Sequence, residues 1–332
     1  MVELVYVYLM KVSRGTLLIS YEDFLTKYNI TDKEFQYAEI SWEELSAIYD
    51  DYSRNEDEYV KVLDGFVDEF FNQSIIRSHK LKIHSLGRRV KNAEHLIDKI
   101  VRKKVEKASK YEECNRDNYL KFITDVAGVR ILLVYKSDWE NVHNYIVGAI
   151  ENDNKNYIKD SLKDYDDDEN HTYIAEEPKV HIRNGDNRDL YEKILPPNRV
   201  IDDKIYRSAH YIVKYHGIYV EIQVRTLFEE GWGEVDHSIL YPSYKENKIF
   251  QEYTELLNRL SGLADEMSSF FLRLESIEKS HEERKEEVTI PAAAIDSKSN
   301  DMFMAGDHLK QEDSQIVTYA DTIKRAIKGE RV

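Results

Sequence analysis

Residues Asp125-Val126-Ala127-Gly128-Val129-Arg130-Ile131-Leu132-Leu133-Val134-Tyr135 decide how this chain is read. From Val126 to Tyr135 the run is nearly all β-branched residues and leucine, which predicts a buried strand. Ser137 or Asp138 then caps a helix that runs through Ile150. Further along, His210–Tyr215 and Ile218–Val224 are two strands around a His216-Gly217 turn. Before the central strand, Asn92–Lys107 carries Leu96, Ile97, Ile100, Val101 and Val105 at helical spacing. Ser41–Phe71 does the same with Leu45, Ile48, Tyr49 and Tyr52, and Ser41 with Glu44 forms a capping box. A last helix spans Lys248 to about Glu287. Helices, a strand, a helix, a long insertion, two strands and helices together make an α/β (α+β) domain with a mixed sheet of few strands.

Composition bounds what such a domain does. The 332 residues include 63 acidic and 47 basic ones, a formal net charge of −16. Hydrophobic content of 42% is enough for a packed core. A single cysteine, Cys114, excludes a disulfide scaffold and a cysteine zinc site. No apolar run is long enough to cross a bilayer. Residues 1–10 are apolar but include Glu3 and follow no basic segment, so no signal peptide or membrane partner is expected and the cytoplasm is the expected location. The charge is segregated. Arg77 to Lys110 holds twelve basic and three acidic residues, a local net charge of +9. Asp160, Asp164, Asp166, Asp167, Asp168 and Glu169 form a run of opposite sign that reads as a solvated loop. Nonspecific nucleic-acid binding is disfavoured for so acidic a chain.

Two carboxylates stand where phosphate chemistry would use them. Asp125 precedes the central strand, and Glu221 lies in Glu221-Ile222-Gln223-Val224-Arg225-Thr226. A period of two puts Glu221, Gln223 and Arg225 on one face and Ile222 with Val224 on the other. Hard oxygen ligands suit Mg²⁺, which takes one or two carboxylates plus substrate phosphates. An ordinary exposed sheet face with a Glu–Arg pair has the same pattern. Arg88, Arg89 and Lys91 are read at the start of the helix from Asn92, where a helix N-terminus and guanidinium groups attract phosphate. In Lys204-Ile205-Tyr206-Arg207-Ser208-Ala209-His210, a tyrosine between two cations can stack on a base while the cations hold phosphates.

Taken in order, Asp125–Arg130, Tyr206–His210 and Glu221–Thr226, followed by Trp232, Glu234, Asp236 and His237, resemble the synthetase domain of the RelA/SpoT family of alarmone synthetases. The resemblance covers roughly Ser85 to Pro242. It implies a nucleotidyltransferase-like mixed sheet flanked by N- and C-terminal helices. It also implies transfer of pyrophosphate from ATP to the ribose 3′-hydroxyl of GDP or GTP, making (p)ppGpp and AMP. By the same resemblance, Asp125 and Glu221 are catalytic and hold Mg²⁺, for which Mn²⁺ can substitute. Arg89, Lys91, Arg130 and Arg225 bind ATP. Tyr206 stacks on the acceptor guanine, with Ser208, His210, Gln223 and His237 lining the acceptor pocket.

The implied layout is an N-terminal helical extension (1–75), the synthetase domain (76–245), a C-terminal helix packing on it (246–290), and a weakly ordered linker and tail (291–332). The apolar face of that helix, with Leu256, Leu257, Leu260, Leu263, Phe270 and Phe271, packs on the domain or joins subunits into a homo-oligomer. No His-Asp dipeptide occurs, so the chain resembles the synthetase-only, single-domain members. Ile205 stands where the family's acceptor loop usually carries glycine. Glycine permits a positive φ that a branched residue resists, so the loop is expected to take another path. A polar turn, Arg183-Asn184-Gly185-Asp186-Asn187, has no role that the sequence reveals. A second reading keeps the chemistry and changes the acceptor to adenosine nucleotides or the 3′ end of transfer RNA. A third is a catalytically dead nucleotide-sensing module, against which both retained carboxylates speak.

Overall fold

The computed structural model describes residues 19–107, 111–150, 172–244 and 247–288. The acidic run Asp160–Glu169, the tail expected at 291–332 and the apolar residues 1–10 lie outside these residues. Two compact units are resolved, residues 1–274 and 275–332. The described part of the second is helical to Val288, with a Lys279–Glu275 pair one turn apart.

Within the first unit, four helices come first: α1 (Tyr21–Tyr28), α2 (Asp32–Tyr37), α3 (Trp42–Phe70) and α4 (Gln73–Ser78). Ser41 caps α3 by accepting a bond from the Glu44 amide. The reciprocal half of the expected capping box is absent, because the Glu44 carboxylate instead accepts the amide of Arg116, 2.7 Å away. Strand β1 (Ser85–Val90) leads to α5 (Ala93–Val105), then to β2 (Ala127–Leu133) and α6 (Trp139–Ala149). Asn92 caps α5 through its side chain. Asp138 occupies the cap position of α6 but makes no capping bond, contrary to the sequence expectation. Its carboxylate is drawn to Lys82 at 3.4 Å, and a 3₁₀ turn at Lys136–Asp138 leads into the helix.

The sheet is completed by β3 (Tyr173–Arg183), β4 (Val200–Asp203), β5 (Ser208–Tyr215) and β6 (Ile218–Thr226), with a short α7 (Asp189–Glu192) before β4. Helix α8 (Leu227–Val235), a π-helical stretch at Asp236–Tyr244 and the long α9 (Lys248–Val288) follow. Six strands run in the order β1-β2-β6-β5-β3-β4, with β2/β6 and β3/β4 parallel and the other pairs antiparallel. The β5–β6 hairpin closes on His216 and Gly217 at φ values of 42° and 78°. Two positive φ angles in succession are what a two-residue turn of matching twist requires.

The two faces of the sheet differ. Val129, Ile131, Ile222, Val224, Tyr211 and Val213 point to one side and are buried with Phe66 of α3, Ile97 and Ile100 of α5, and Ile146 of α6. Each such aliphatic side chain contributes roughly 1.5–3 kcal/mol by leaving water. The first three helices share this core, and the Tyr52 hydroxyl of α3 donates to the Lys91 carbonyl at 2.8 Å. The opposite face carries Arg89 of β1, Arg130 of β2, Glu221, Gln223 and Arg225 of β6, and His210 of β5.

Helix α9 packs in an unexpected rotation. Thr254, Asn258, Ser261 and Asp265 are its buried side chains, while Leu256, Leu260 and Phe271 of the expected packing face are exposed. The reason lies in what this helix meets. It covers polar groups of the β4–β5 loop and of α8 rather than an apolar sheet face, and Trp232 of α8 donates to the Thr254 carbonyl at 3.0 Å. Among the described residues, no helix is long and apolar enough to cross a membrane.

Candidate active site

Strand register gathers the polar residues. Arg89 of β1 pairs with Gly128 of β2, Gly128 with Glu221 of β6, and Arg130 with Gln223. His210 of β5 faces Gln223, while Lys179 and His181 of β3 face His210 and Ser208. Arg88 and Arg89 therefore sit on a strand, not at the helix start assigned to them from sequence. Arg88 points to the other side and pairs with Asp64 of α3 at 3.0 Å. Arg89 crosses Gly128, where an added Cβ would lie 3.7 Å from its Cγ. Loss of water around the Arg89 guanidinium, and then the neighbouring Arg130, lower its pKa.

Asp125 lies just before β2 and accepts two lysines, Lys91 and Lys99, each at 2.8 Å. Burial would raise its pKa, but the charges of Lys99 and Lys91 prevail and hold it down to about 2. Lys99 escaped the sequence reading as a site residue. It is one lysine among twelve cations of the basic segment, and only the packing of α5 beside β2 shows which one turns inward.

Glu221 anchors a second group. It accepts His210 Nδ1 at 3.0 Å on one oxygen and the Gln223 amide at 2.7 Å on the other. Burial favours the neutral acid, but the hydrogen bond from His210 outweighs this and lowers the Glu221 pKa. His210 Nε2 lies 3.0 Å from the Tyr206 hydroxyl, and Arg225 Nη2 donates to that hydroxyl at 2.6 Å. One tautomer satisfies every bond. Arg225 donates to Tyr206, Tyr206 donates to His210 Nε2, and His210 Nδ1–H donates to Glu221. The Arg225 guanidinium also lies over the Tyr206 ring, 5.1 Å from its centroid.

The remaining expected residues divide. Ser208 is buried beside Tyr206 and belongs to this group. Arg130 is held by Glu230 at 2.6 Å and Glu234 at 2.5 Å, at the β2 end of the site. Arg225, expected at ATP, is bound to Tyr206 and to Glu230 at 2.9 Å. His237 follows α8 beside Glu234 and Asp236. The two cations that flank the tyrosine in sequence both have acidic partners. Arg207 is buried against Asp186 and Asn258, and Lys204 pairs with Glu255 at 3.0 Å.

His181 is the other residue sequence reasoning missed. Its ring stands 5.6 Å from Tyr206 and 5.3 Å from His210, edge-on to both. Burial and then His210 lower its pKa, which favours the neutral ring. No nearby motif marks His181; only the β3–β5 register brings it in.

Residues 88–246 match a family described as the region found in RelA / SpoT proteins. Solved structures similar to the chain include a GTP pyrophosphokinase family protein from Streptococcus pneumoniae, at 18% identity over 73% of this chain and 98% of that one, with a TM-score of 0.43. Small alarmone synthetase 2 from Bacillus subtilis is 23% identical over 68% of this chain and 98% of that one, with a TM-score of 0.41. Small alarmone synthetase 1 from the same organism, bound to its product pppGpp, is 18% identical over 68% and 98%, with a TM-score of 0.40. No curated protein matches the chain.

Proposed function

Since residues 88–246 of this chain match the region found in RelA / SpoT proteins, we propose that the protein transfers pyrophosphate from ATP to the ribose 3′-hydroxyl of GDP or GTP. The observation that carries this reading is that two carboxylate centres, Asp125 and Glu221, both lie within electrostatic reach of Arg89. Asp125 is ringed by Lys91 and Lys99, and Glu221 ends the Arg225–Tyr206–His210 chain. Pyrophosphoryl transfer between two nucleotides concentrates negative charge, so catalysis is mainly positioning and electrostatic stabilisation.

Lys91, Lys99, Arg89 and Arg130 supply the cations for the ATP phosphates. Tyr206 offers its ring to the acceptor base, with His210 and Ser208 beside it. The acceptor 3′-oxygen bonds to the β-phosphorus, the bond from that phosphorus to the oxygen bridging to the α-phosphate breaks, and AMP leaves. Glu221, ionised and oriented by His210 and Gln223, takes the hydroxyl proton.

A divalent cation fits the donor chemistry. Each carboxylate has about four lone-pair sites, and each accepts two hydrogen bonds within the protein. Asp125 and Glu221 would hold Mg²⁺, which supplies charge neutralisation on the ATP phosphates when bound.

The test is incubation with Mg²⁺ and γ-labelled ATP, offering GDP, GTP, ADP and transfer RNA in turn. Label on GDP or GTP is expected; label on RNA or ADP alone, or on no acceptor, overturns the proposal. Tyr206→Ala is expected to raise the acceptor KM about tenfold or more, as loss of one stacked base would. The ATP KM should move less than about twofold. Equal shifts in both would remove Tyr206 from the acceptor pocket.

A further inference from the structure

The loop that carries Tyr206 is gripped from behind by groups that the proposed chemistry does not use. Asp203 Oδ1 accepts both the Ile205 and the Tyr206 amides, at 3.1 and 3.0 Å. Such a side-chain turn fixes the backbone without a positive φ, and Ile205 is not among the positive-φ residues. Ile205 in place of glycine thus costs the loop nothing. The Ile205 carbonyl, pointing away from the site, accepts the Asn258 amide of α9 at 2.6 Å.

Asn258 in turn binds the next residue but one. Its Oδ1 accepts Arg207 Nη1 at 2.9 Å, and its own carbonyl accepts the same nitrogen at 3.3 Å. Arg207 Nε donates to Asp186 at 2.6 Å. Asp186 belongs to the polar 183–187 turn, and Arg183 donates to it as well, at 3.1 Å. Burial would raise the Asp186 pKa, but the bond to Arg207 and its charge prevail and lower it. Arg207 and Asn258 are 3% and 1% exposed, so neither has a route to substrate. Gly262, one turn along α9, leaves room for the guanidinium, since a Cβ there would lie 2.8 Å from Arg207 Nη2.

We infer that Asn258 is a positioning residue for the acceptor: α9 and the 183–187 turn set the place of Tyr206 through the Asn258–Ile205 and Asn258–Arg207–Asp186 bonds. This rests on Tyr206 facing the acceptor, as proposed above. The physical reason is the asymmetry of buried hydrogen bonds. An Ile205 carbonyl left without its donor is costly and turns to find another, and its peptide carries the tyrosine with it. A side chain that stacks on a ligand needs its backbone held to a fraction of an ångström.

Asn258→Asp and Asn258→Ala test the inference. Asp keeps an acceptor for the buried Arg207 and faces the Ile205 carbonyl with an oxygen that cannot donate to it, whereas Ala releases both partners. Amide exchange over residues 203–207 and the two KM values are measured for each. Faster exchange at Ile205 and Tyr206 is expected, with the acceptor KM up about tenfold and the ATP KM within about twofold. Unchanged exchange in both variants overturns the clamp. Faster exchange with an unchanged acceptor KM, or with both KM values raised alike, overturns the positioning role. A wild-type protein that transfers label to no guanine nucleotide fails the functional reading instead, and the exchange result still decides the clamp.

Discussion

Glu221→Gln is expected to lower pyrophosphate transfer about 10³-fold or more while leaving the fold in place. The carboxylate accepts from His210 on one oxygen and from Gln223 on the other. A glutamine amide presents one acceptor and one donor group, so it must oppose an N–H to the His210 or the Gln223 donor. Where that N–H faces His210, the ring satisfies its neighbours only in the other tautomer, which reverses its bond with Tyr206. The variant also loses the negative charge that would receive the acceptor proton and neutralise a cation. Removing one preorganised electrostatic group at a reacting centre typically costs 10²–10³ in rate, and loss of a base adds to that. Label transfer from γ-labelled ATP, beside a thermal melt, checks it. More than about a tenth of wild-type activity in a folded variant would place the essential carboxylate elsewhere.

Asp265→Asn is expected to stabilise the protein at pH 8 and to do almost nothing near pH 4. Asp265 is 3% exposed on the inner side of α9, and neither of its oxygens has a hydrogen bond of good geometry. Burial, and then the charge of Glu229, raise its pKa from 3.8 to about 7. Below pH 4 the acid is protonated in both states and contributes no pH dependence. Between pH 4 and 7 the unfolded chain releases the proton while the native state keeps it, so stability falls as pH rises. Above pH 7 the full penalty remains. Asparagine removes the charge at nearly the same volume, so a gain of about 1–3 kcal/mol at pH 8 is expected. Denaturant melts of both proteins at pH 4.5 and pH 8 measure it. A variant no more stable than wild type at pH 8 would show that Asp265 carries no such penalty.

The parts of the fold that were legible in sequence are those whose local signals agree with their surroundings. β2 is a run of β-branched residues and leucine, and β6 alternates from Val220 to Arg225 after a turn that tolerates positive φ. Glu221, Gln223 and Arg225 share a face because a strand has a period of two. The rest was hidden for physical reasons. β1 reads Ser-Leu-Gly-Arg-Arg-Val, a poor strand former held as an edge by its pairing with β2. β3 contains Pro178 and two register shifts, between Ile174 and Glu176 and between Glu176 and Lys179. Each shift breaks the alternation by which a strand is recognised. Lys99, His181 and Asn258 enter through packing between elements far apart in sequence, which no spacing rule encodes. α9 was recognised as a helix from its periodicity, but its rotation was not, because hydrophobic patterning assumes an apolar surface to pack against.

The separation of Arg207 from Asn258 also has a meaning in time. The two are 51 residues apart, with Asn258 the later in the chain. At roughly 5–20 residues per second of synthesis, the tyrosine loop leaves the ribosome about 3–10 s before the helix that grips it. β5 and β6 emerge within that interval, so every strand of the sheet is made before α9, while Arg207 has only Asp186 to hold it. A nascent chain would thus carry the whole constellation of side chains without a settled acceptor loop. The grip on that loop arrives last, with α9.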